Sequence, residues 1–375
     1  MTTDGHPSTA ADIVDVVDDV VDAVDVVDVV DVVALGESMV TFLPTRPGRL
    51  ADVPSFDRAI GGAESNVACA LAAAGHSARW VSRVGADGFG DHLVEAIGAY
   101  GVDVSHVRCD ATRPTGIYFR TAADRATDAH EVAYYRSGSA ASAMTVDNVD
   151  LAAVRAGRVL HLSGITAALS AECRELMREL TAPSPGRPLI SFDVNYRPGL
   201  WRDTDGPRVL LELARRADIV FVGADEARDA WGLHSTSAIA DALPGPRLVV
   251  VKLGKGGAIA FDKNTDGNDG TEDADGSATL VRAPRVDVVA AVGAGDAFAA
   301  GFLSATLRGL PLRARLRHGH LMAAATLTTP GDLAAPPTRS HADRLAALDD
   351  DAWGRLRLGP GWTQAEQAPE EAITP

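Results

Sequence analysis

Residues Val292-Gly293-Ala294-Gly295-Asp296-Ala297-Phe298 combine two glycines, a carboxylate and the start of a small-residue apolar run. The glycines permit a tight turn and let backbone N–H groups approach a ligand closely. Ala297 to Leu303 read as a buried helix. A glycine turn feeding a helix N-terminus gathers unpaired N–H groups and the helix dipole at one point, which makes an anion site. Asp296 falls in the first turn, where a negative charge is tolerated. A carboxylate beside an anion site suits phosphoryl transfer: amides hold phosphate oxygens, and the Asp takes a proton from an attacking hydroxyl. On these residues alone, a helix entry with a capping carboxylate is the alternative.

Other polar clusters follow predicted strands: Gly36-Glu37, then Asp193, Asn195 and Arg197, then Glu226, then Lys252 and Gly254. In open parallel sheets, ligands bind beyond the carboxyl ends of the strands. Taken singly, Glu37 and Glu226 read as turn caps; taken together the clusters read as one site. Asp193, Asn195 and Arg197 alternate, so an extended segment points them to one side. Arg197 can clamp a carboxylate or phosphate at two points, or form a surface salt bridge. Gly254-x-x-Gly257 offers amides to a nucleotide, or forms a hairpin turn.

The elements that must position these groups alternate regularly. A buried strand over 29–35 precedes a helix over 67–74 opened by Gly61-Gly62; a strand over 79–84 precedes a helix over 91–100. The rhythm resumes with strands near 159–162, 189–192, 219–222 and 248–253, and with helices near 170–180, 208–216, 296–308, 311–327 and 340–347. This is the pattern of an α/β fold, a doubly wound, mostly parallel sheet with helices on both faces. Residues 113–136 break it with a hairpin carrying Tyr118, Phe119, Tyr134 and Tyr135. With residues near 44–60, that hairpin forms a small β-sheet lid over the ligand edge. Residues 1–28 repeat Asp-Val-Val with no clean amphipathic period and read as a disordered or weakly ordered extension. Residues 265–276 read as a solvated insertion, and 351–375 as a frayed tail.

The chain has 375 residues, 46% of them hydrophobic, enough for one large α/β domain. Its net charge of −16 lacks the basic footprint that nucleic acid requires. The lysines are Lys252, Lys255 and Lys263 alone. Abundant Asp with scarce Lys resembles the proteins of salt-loving archaea, whose hydrated acidic surface stays soluble where salt screens charge. Cys69, Cys109 and Cys173 form neither a disulfide framework nor a metal motif. With no apolar run of membrane-spanning length and no signal-peptide pattern, a cytoplasmic location without membrane partners is expected.

Over roughly residues 30–350 the chain resembles the ribokinase-like, PfkB-type sugar kinases. The likeness is carried by Gly61-Gly62-Ala63-x-x-Asn66-Val67-Ala68, Asp193-x-Asn195-x-Arg197-Pro198, Glu226, Lys252-Leu253-Gly254-x-x-Gly257 and the Val292–Phe298 motif. The resemblance implies one kinase domain over 29–350, with ATP and Mg²⁺ as cofactors and homo-oligomers formed through the lid. It makes Asp296 the catalytic base, with Ala294, Gly295 and Gly293 as the anion hole. It assigns Gly61, Gly62 and Asn66 to the sugar, and Lys252, Gly254 and Gly257 to the nucleotide. His320 stands at the adenine end, where an Asn is common. Asn195 and Glu226 organise Mg²⁺, mostly through water.

Within that family the chain is most similar to the 2-keto-3-deoxygluconate kinases. Gly36-Glu37, Gly116-Ile117-Tyr118 and Tyr134-Tyr135-Arg136-x-Gly138-Ser139-Ala140 carry this likeness. It adds Glu37, Tyr118, Tyr134, Arg136 and Arg197 to the substrate site, with Arg136 and Arg197 serving one substrate carboxylate and the incoming phosphate. For Tyr134 and Tyr135 the alternative is packing inside the lid or at a dimer contact. The sequence departs from the family at Ala290-Ala291-Val292, where an Asp-Thr-Thr is usual, and at Gly223, where an Asn is usual. The first departure removes a carboxylate associated with monovalent-cation binding; the second weakens the Mg²⁺ assignment. A kinase of a neutral sugar such as fructose or ribose, and a non-catalytic sugar-acid sensor, are the alternatives.

Overall fold

The computed structural model describes residues 28–121, 131–201, 205–263 and 278–364. The N-terminal repeat, the loop between the lid hairpin strands, the 265–276 insertion and the last eleven residues lie outside these. In chain order the strands of three or more residues are β1 (Val30–Leu35), β2 (Met39–Pro44), β3 (Phe56–Gly61), β4 (Ala78–Val81), β5 (Arg83–Gly85), β6 (Arg108–Asp110), β7 (Ile117–Arg120), β8 (Val132–Tyr135), β9 (Gly157–Ser163), β10 (Leu189–Asp193), β11 (Ile219–Gly223), β12 (Leu248–Lys252), β13 (Ala258–Asp262) and β14 (Ala278–Val281). The main sheet has the order β14-β13-β12-β11-β10-β9-β1-β4. From β12 to β4 every pairing is parallel; β13 and β14 add an antiparallel edge.

The parallel strands are continuous apolar runs because helices cover both of their faces. β11 is Ile-Val-Phe-Val-Gly and is buried throughout; β12 is Leu-Val-Val-Val-Lys, buried up to Lys252. On one face, Phe221, Leu248 and Val250 pack with Phe298, Phe302 and Leu321 of the helices Ala294–Leu307 and Leu312–Leu327. On the other, Val220, Val249 and Val251 pack with Leu176, Leu210 and Ile239 of the helices Ala171–Thr181, Gly206–Ala214 and Thr236–Ala242. Strand order reverses between β1 and β9: from β1 the chain moves outward to β4, then returns to the opposite side. That reversal opens a crevice at the carboxyl ends of β1 and β9, where doubly wound sheets take their ligands.

The lid is a separate four-stranded sheet of order β3-β2-β7-β8. Its small core is aromatic. Phe42 stacks on Phe119 at 4.7 Å, and Phe56 meets Phe119 edge-on at 5.2 Å. The lid expected from 44–60 and 113–136 is therefore present, but β2 was not anticipated as its central strand. The helix after Gly62 starts at Ala63 and runs to Ala73, earlier than the apolar pattern placed it. Its first turn is polar, with Glu64, Ser65 and Asn66, yet fully buried. Trp353, Leu358 and Trp362 sit in the same apolar core as Phe298 and Phe302, so packing continues past residue 350.

Candidate active site

Gly293 caps the Ala294–Leu307 helix in the left-handed region, at φ 76°. Its Cα lies so close to the Asp332 carbonyl that a Cβ would stand 2.3 Å from that oxygen. Only glycine meets both demands. The first intrahelical bond runs from Ala297 N to Gly293 O at 2.9 Å, which leaves the amides of Ala294, Gly295 and Asp296 ahead of the hydrogen-bond ladder. The Lys252 ammonium stands beside them, 3.6 Å from the position a Cβ on Gly295 would take. Unpaired amides, a helix dipole and a cation thus converge on one spot.

Asp296 Oδ2 accepts a 2.9 Å bond from Asn66 Nδ2. Burial is the main reason that the Asp296 carboxyl is pushed up to about 8; the Asn66 bond works against it, and the neighbouring Asp193 adds to the rise. A group poised there matches the operating range of a general base. Lys252 donates to Asp193 Oδ2 at 2.7 Å. Burial alone would depress the Lys252 ammonium, but the Asp193, Glu226 and Asp296 carboxylates outweigh it and hold it above its ordinary value. Glu226 is pushed up by burial; it accepts from Gly223 N at 2.9 Å and from Arg197 Nη1 at 3.2 Å.

Asn195 is the one non-glycine residue at positive φ among the described residues, at 40°. Its side-chain oxygen Oδ1 is buried without a partner. Its backbone amide donates to Asp193 Oδ1 at 3.2 Å, and an unsatisfied oxygen on a strained backbone is a donor that suits a hard, hydrated cation. Among the described residues there is no cluster of three His, Cys, Asp or Glu able to cage a metal. Asn195 and Glu226 offer side-chain oxygens of the kind that would hold Mg²⁺ through water.

At the lid side, Gly61 faces Tyr118, whose hydroxyl would lie 2.2 Å from a Cβ there. Gly62 lies against Ser38 Cα and the Glu37 carbonyl. Tyr118 is buried, and Tyr134 is 53% exposed with its ring 5.4 Å from that of Tyr118. Glu37 is 2% exposed. It accepts from Arg136 Nε at 2.7 Å and also pairs with Arg136 Nη2; Ser139 donates to its other oxygen.

Arg136 is paired with Glu37 beyond β1, and Arg197 with Glu226 beyond β11. Each guanidinium already has a carboxylate, and Glu37 acts here as the partner of Arg136 before it can act on a substrate. His320 is 6% exposed, with Nε2 on the Val281 carbonyl at 3.1 Å and its ring edge-on to Phe298. Burial pushes it down to about 4, so it is neutral. It supports Val281, against whose carbonyl the left-handed Gly257 packs. Gly254 is left-handed as well and exposed, consistent with a backbone open to a ligand.

Two residues escaped the sequence reading. Asp193 is named in the motif but its part, anchoring Lys252, shows only in space. Asp332 follows a Pro-Gly pair and looks like a turn residue; in the structure Arg120 and Tyr118 both bind it.

A family model described as pfkB family carbohydrate kinase matches residues 30–339. A 2-dehydro-3-deoxygluconokinase of Bacillus subtilis is 35% identical over 325 residues, covering 84% of this chain and 94% of that protein. A 2-dehydro-3-deoxygalactonokinase of Haloferax volcanii is 31% identical, covering 80% of this chain and 92% of that protein. A sugar kinase of Pyrococcus horikoshii, solved in complex with ATP, superposes with a TM-score of 0.71 at 25% identity, covering 86% of this chain and 99% of the other.

Proposed function

The chain belongs to the pfkB family of carbohydrate kinases, and on that premise we propose that it transfers the γ-phosphoryl group of ATP to the terminal hydroxyl of 2-keto-3-deoxygluconate. The galactonate epimer is the second acceptor to test. The observation that carries phosphotransfer is the meeting of Asp296, the free amides of Ala294 and Gly295, and the Lys252 ammonium at one helix N-terminus. The choice of a sugar acid is supported by the two relatives that are kinases of 3-deoxy keto acids.

In this reading Asp296 accepts the proton of the attacking hydroxyl while Asn66 holds its other face. The amides that follow Gly293, with Lys252, receive the charge on the transferring phosphoryl oxygens. Gly254 and Gly257 give the nucleotide a close backbone approach. Asn195 and Glu226 would hold Mg²⁺ through water, and the ion, when bound, supplies charge neutralisation at the phosphates. Gly61, Gly62, Tyr118 and Tyr134 border the sugar. Arg136 orients Glu37 toward the sugar, and Arg197, 55% exposed, remains able to meet a carboxylate or phosphate. Val132, Tyr134 and Tyr135 are exposed apolar residues of β8 and support oligomer formation through the lid. No helix among the described residues is long and apolar enough to cross a membrane. The described cysteines are all free, which supports the reducing cytoplasm.

One observation favours a second reading, a kinase of neutral sugars: Arg136, one of the two cations expected to serve the substrate carboxylate and the incoming phosphate, is engaged by Glu37. A coupled assay of ADP release separates the two. Turnover with 2-keto-3-deoxygluconate or its epimer well above that with fructose and ribose supports the proposal; the reverse ranking replaces it.

A further inference from the structure

A cavity of about 230 Å³ lies along the C-terminal half of the helix Ala294–Leu307. None of the residues that line it belongs to the catalytic turn, the glycine pairs or the lid. Leu321 and Met322 of the helix Leu312–Leu327, with Pro336, form an apolar wall. Ser304, Arg308, His318 and Arg339 supply polar groups. Arg339 and Ala73 are exposed, so the cavity opens to solvent between them.

The charges around this cavity do not cancel. Arg308 Nη2 meets Asp343 Oδ2 at 2.7 Å, and His318 Nε2 meets Asp343 Oδ1 at 3.1 Å. Burial, with Arg308 beside it, holds His318 below its ordinary value, so the ring is neutral near neutral pH. Asp343 therefore balances Arg308. Arg339 is left over: its guanidinium bonds no other described residue, and its Nη2 stands 3.9 Å from where a Cβ on Gly75 would be. The Ser304 hydroxyl is held by His76 Nε2 at 2.8 Å. One uncompensated positive charge thus stands at the rim of a partly apolar cavity.

We propose that this cavity binds a small organic acid with one carboxylate and a short apolar stem, apart from the sugar and nucleotide sites. The carboxylate meets Arg339, whose planar fork matches two oxygens. The stem lies against Leu321, Met322 and Pro336. The charge count selects a monoanion, because a phosphate dianion would set a second negative charge near Asp343. The volume is below the about 300–1,000 Å³ of sites for drug-sized ligands, which keeps the stem to a few carbons.

The test is saturation-transfer difference NMR on the full-length protein, with butyrate as the probe and butanol as the same stem without charge. Butyrate is expected to bind with a saturable titration and to exceed butanol at equal concentration. Arg339→Met should weaken butyrate roughly tenfold or more, the share of one charge-assisted hydrogen bond. Arg339→Lys keeps the charge but not the fork and should fall between, which also covers an Arg339→Met variant that fails to fold. Equal binding of butyrate by the parent and all Arg339 variants would place the acid elsewhere and overturn the proposal, as would butanol matching butyrate. Inorganic phosphate displacing butyrate at lower concentration than propionate does would overturn the choice of a monocarboxylate.

Discussion

Asp296 carries a carboxyl that burial pushes up to about 8, and the sign of its effect on rate follows directly. A base must be unprotonated, so kcat/KM is expected to rise with pH through an acid limb near that value in the free enzyme. A limb near 4 would show that burial does not control the group. Asp296→Asn keeps the shape and the Asn66 contact but cannot take a proton; kcat should fall roughly 10²–10⁴-fold while ATP binding hardly changes. Near-wild-type turnover would show that another group is the base. Asp296, Asn66 and Lys252 can be singled out in the sequence because each sits in a short motif, and the structure brings them to one helix N-terminus. The Arg136–Glu37 pair is not legible in the sequence, because its members are 99 positions apart and no local pattern joins them. The burial of His320 is not legible for the same reason: it depends on Phe298 and Val281, which only tertiary packing brings together.

At the scale of elements, the strand–helix alternation, the lid hairpin and the apolar strands could be read because parallel strands covered on both faces are continuous runs. The first turn of the Ala63–Ala73 helix could not, since its Glu64, Ser65 and Asn66 look like loop residues until the crevice beyond β1 and β9 encloses them. Glu64 is 0% exposed. Its Oε1 accepts from Ser163 and Thr166, while Oε2 is buried without a partner. Burial raises its carboxyl above the ordinary 4.5. The folded state therefore keeps a proton that the unfolded state loses: the contribution is fully present below the unfolded value and is lost as pH rises through the folded one. Glu64→Gln, which mimics the protonated form, should show a smaller fall in melting temperature between about pH 5 and about pH 8 than the parent does. Parallel profiles would mean that Glu64 ionises freely. Gly293→Ala tests the other end of the crevice. A side chain at φ 76°, against the Asp332 carbonyl, should cost about 1–3 kcal/mol in stability and much of kcat. An active, equally stable variant would contradict the close approach.

Across the whole molecule, acidic surface and kinase chemistry are separate matters. Three lysines and a net charge of −16 make self-repulsion large in dilute buffer, and salt screens it over about 10 Å at 0.1 M. Melting temperature is expected to be higher in molar KCl than in dilute buffer, and the opposite order would contradict the reading of the surface as adapted to salt. Composition could show that charge balance, but it could not show where the globular part ends: Trp353 and Trp362 pack into the core from a segment whose polar surroundings suggest a tail. Nor could it weigh a sugar acid against a neutral sugar, because that depends on which cations remain free once Glu37 and Glu226 have taken theirs. Which acceptor the enzyme takes is settled by competition. The enzyme is given equal concentrations of 2-keto-3-deoxygluconate and fructose with limiting ATP, and the phosphorylated product is identified by mass and by ³¹P-coupled NMR. The sugar acid phosphorylated on its terminal hydroxyl is expected to accumulate nearly alone, since one charge-assisted contact to the carboxylate amounts to about 1.5–3 kcal/mol, roughly tenfold to a hundredfold. Fructose phosphate as the main product would contradict it.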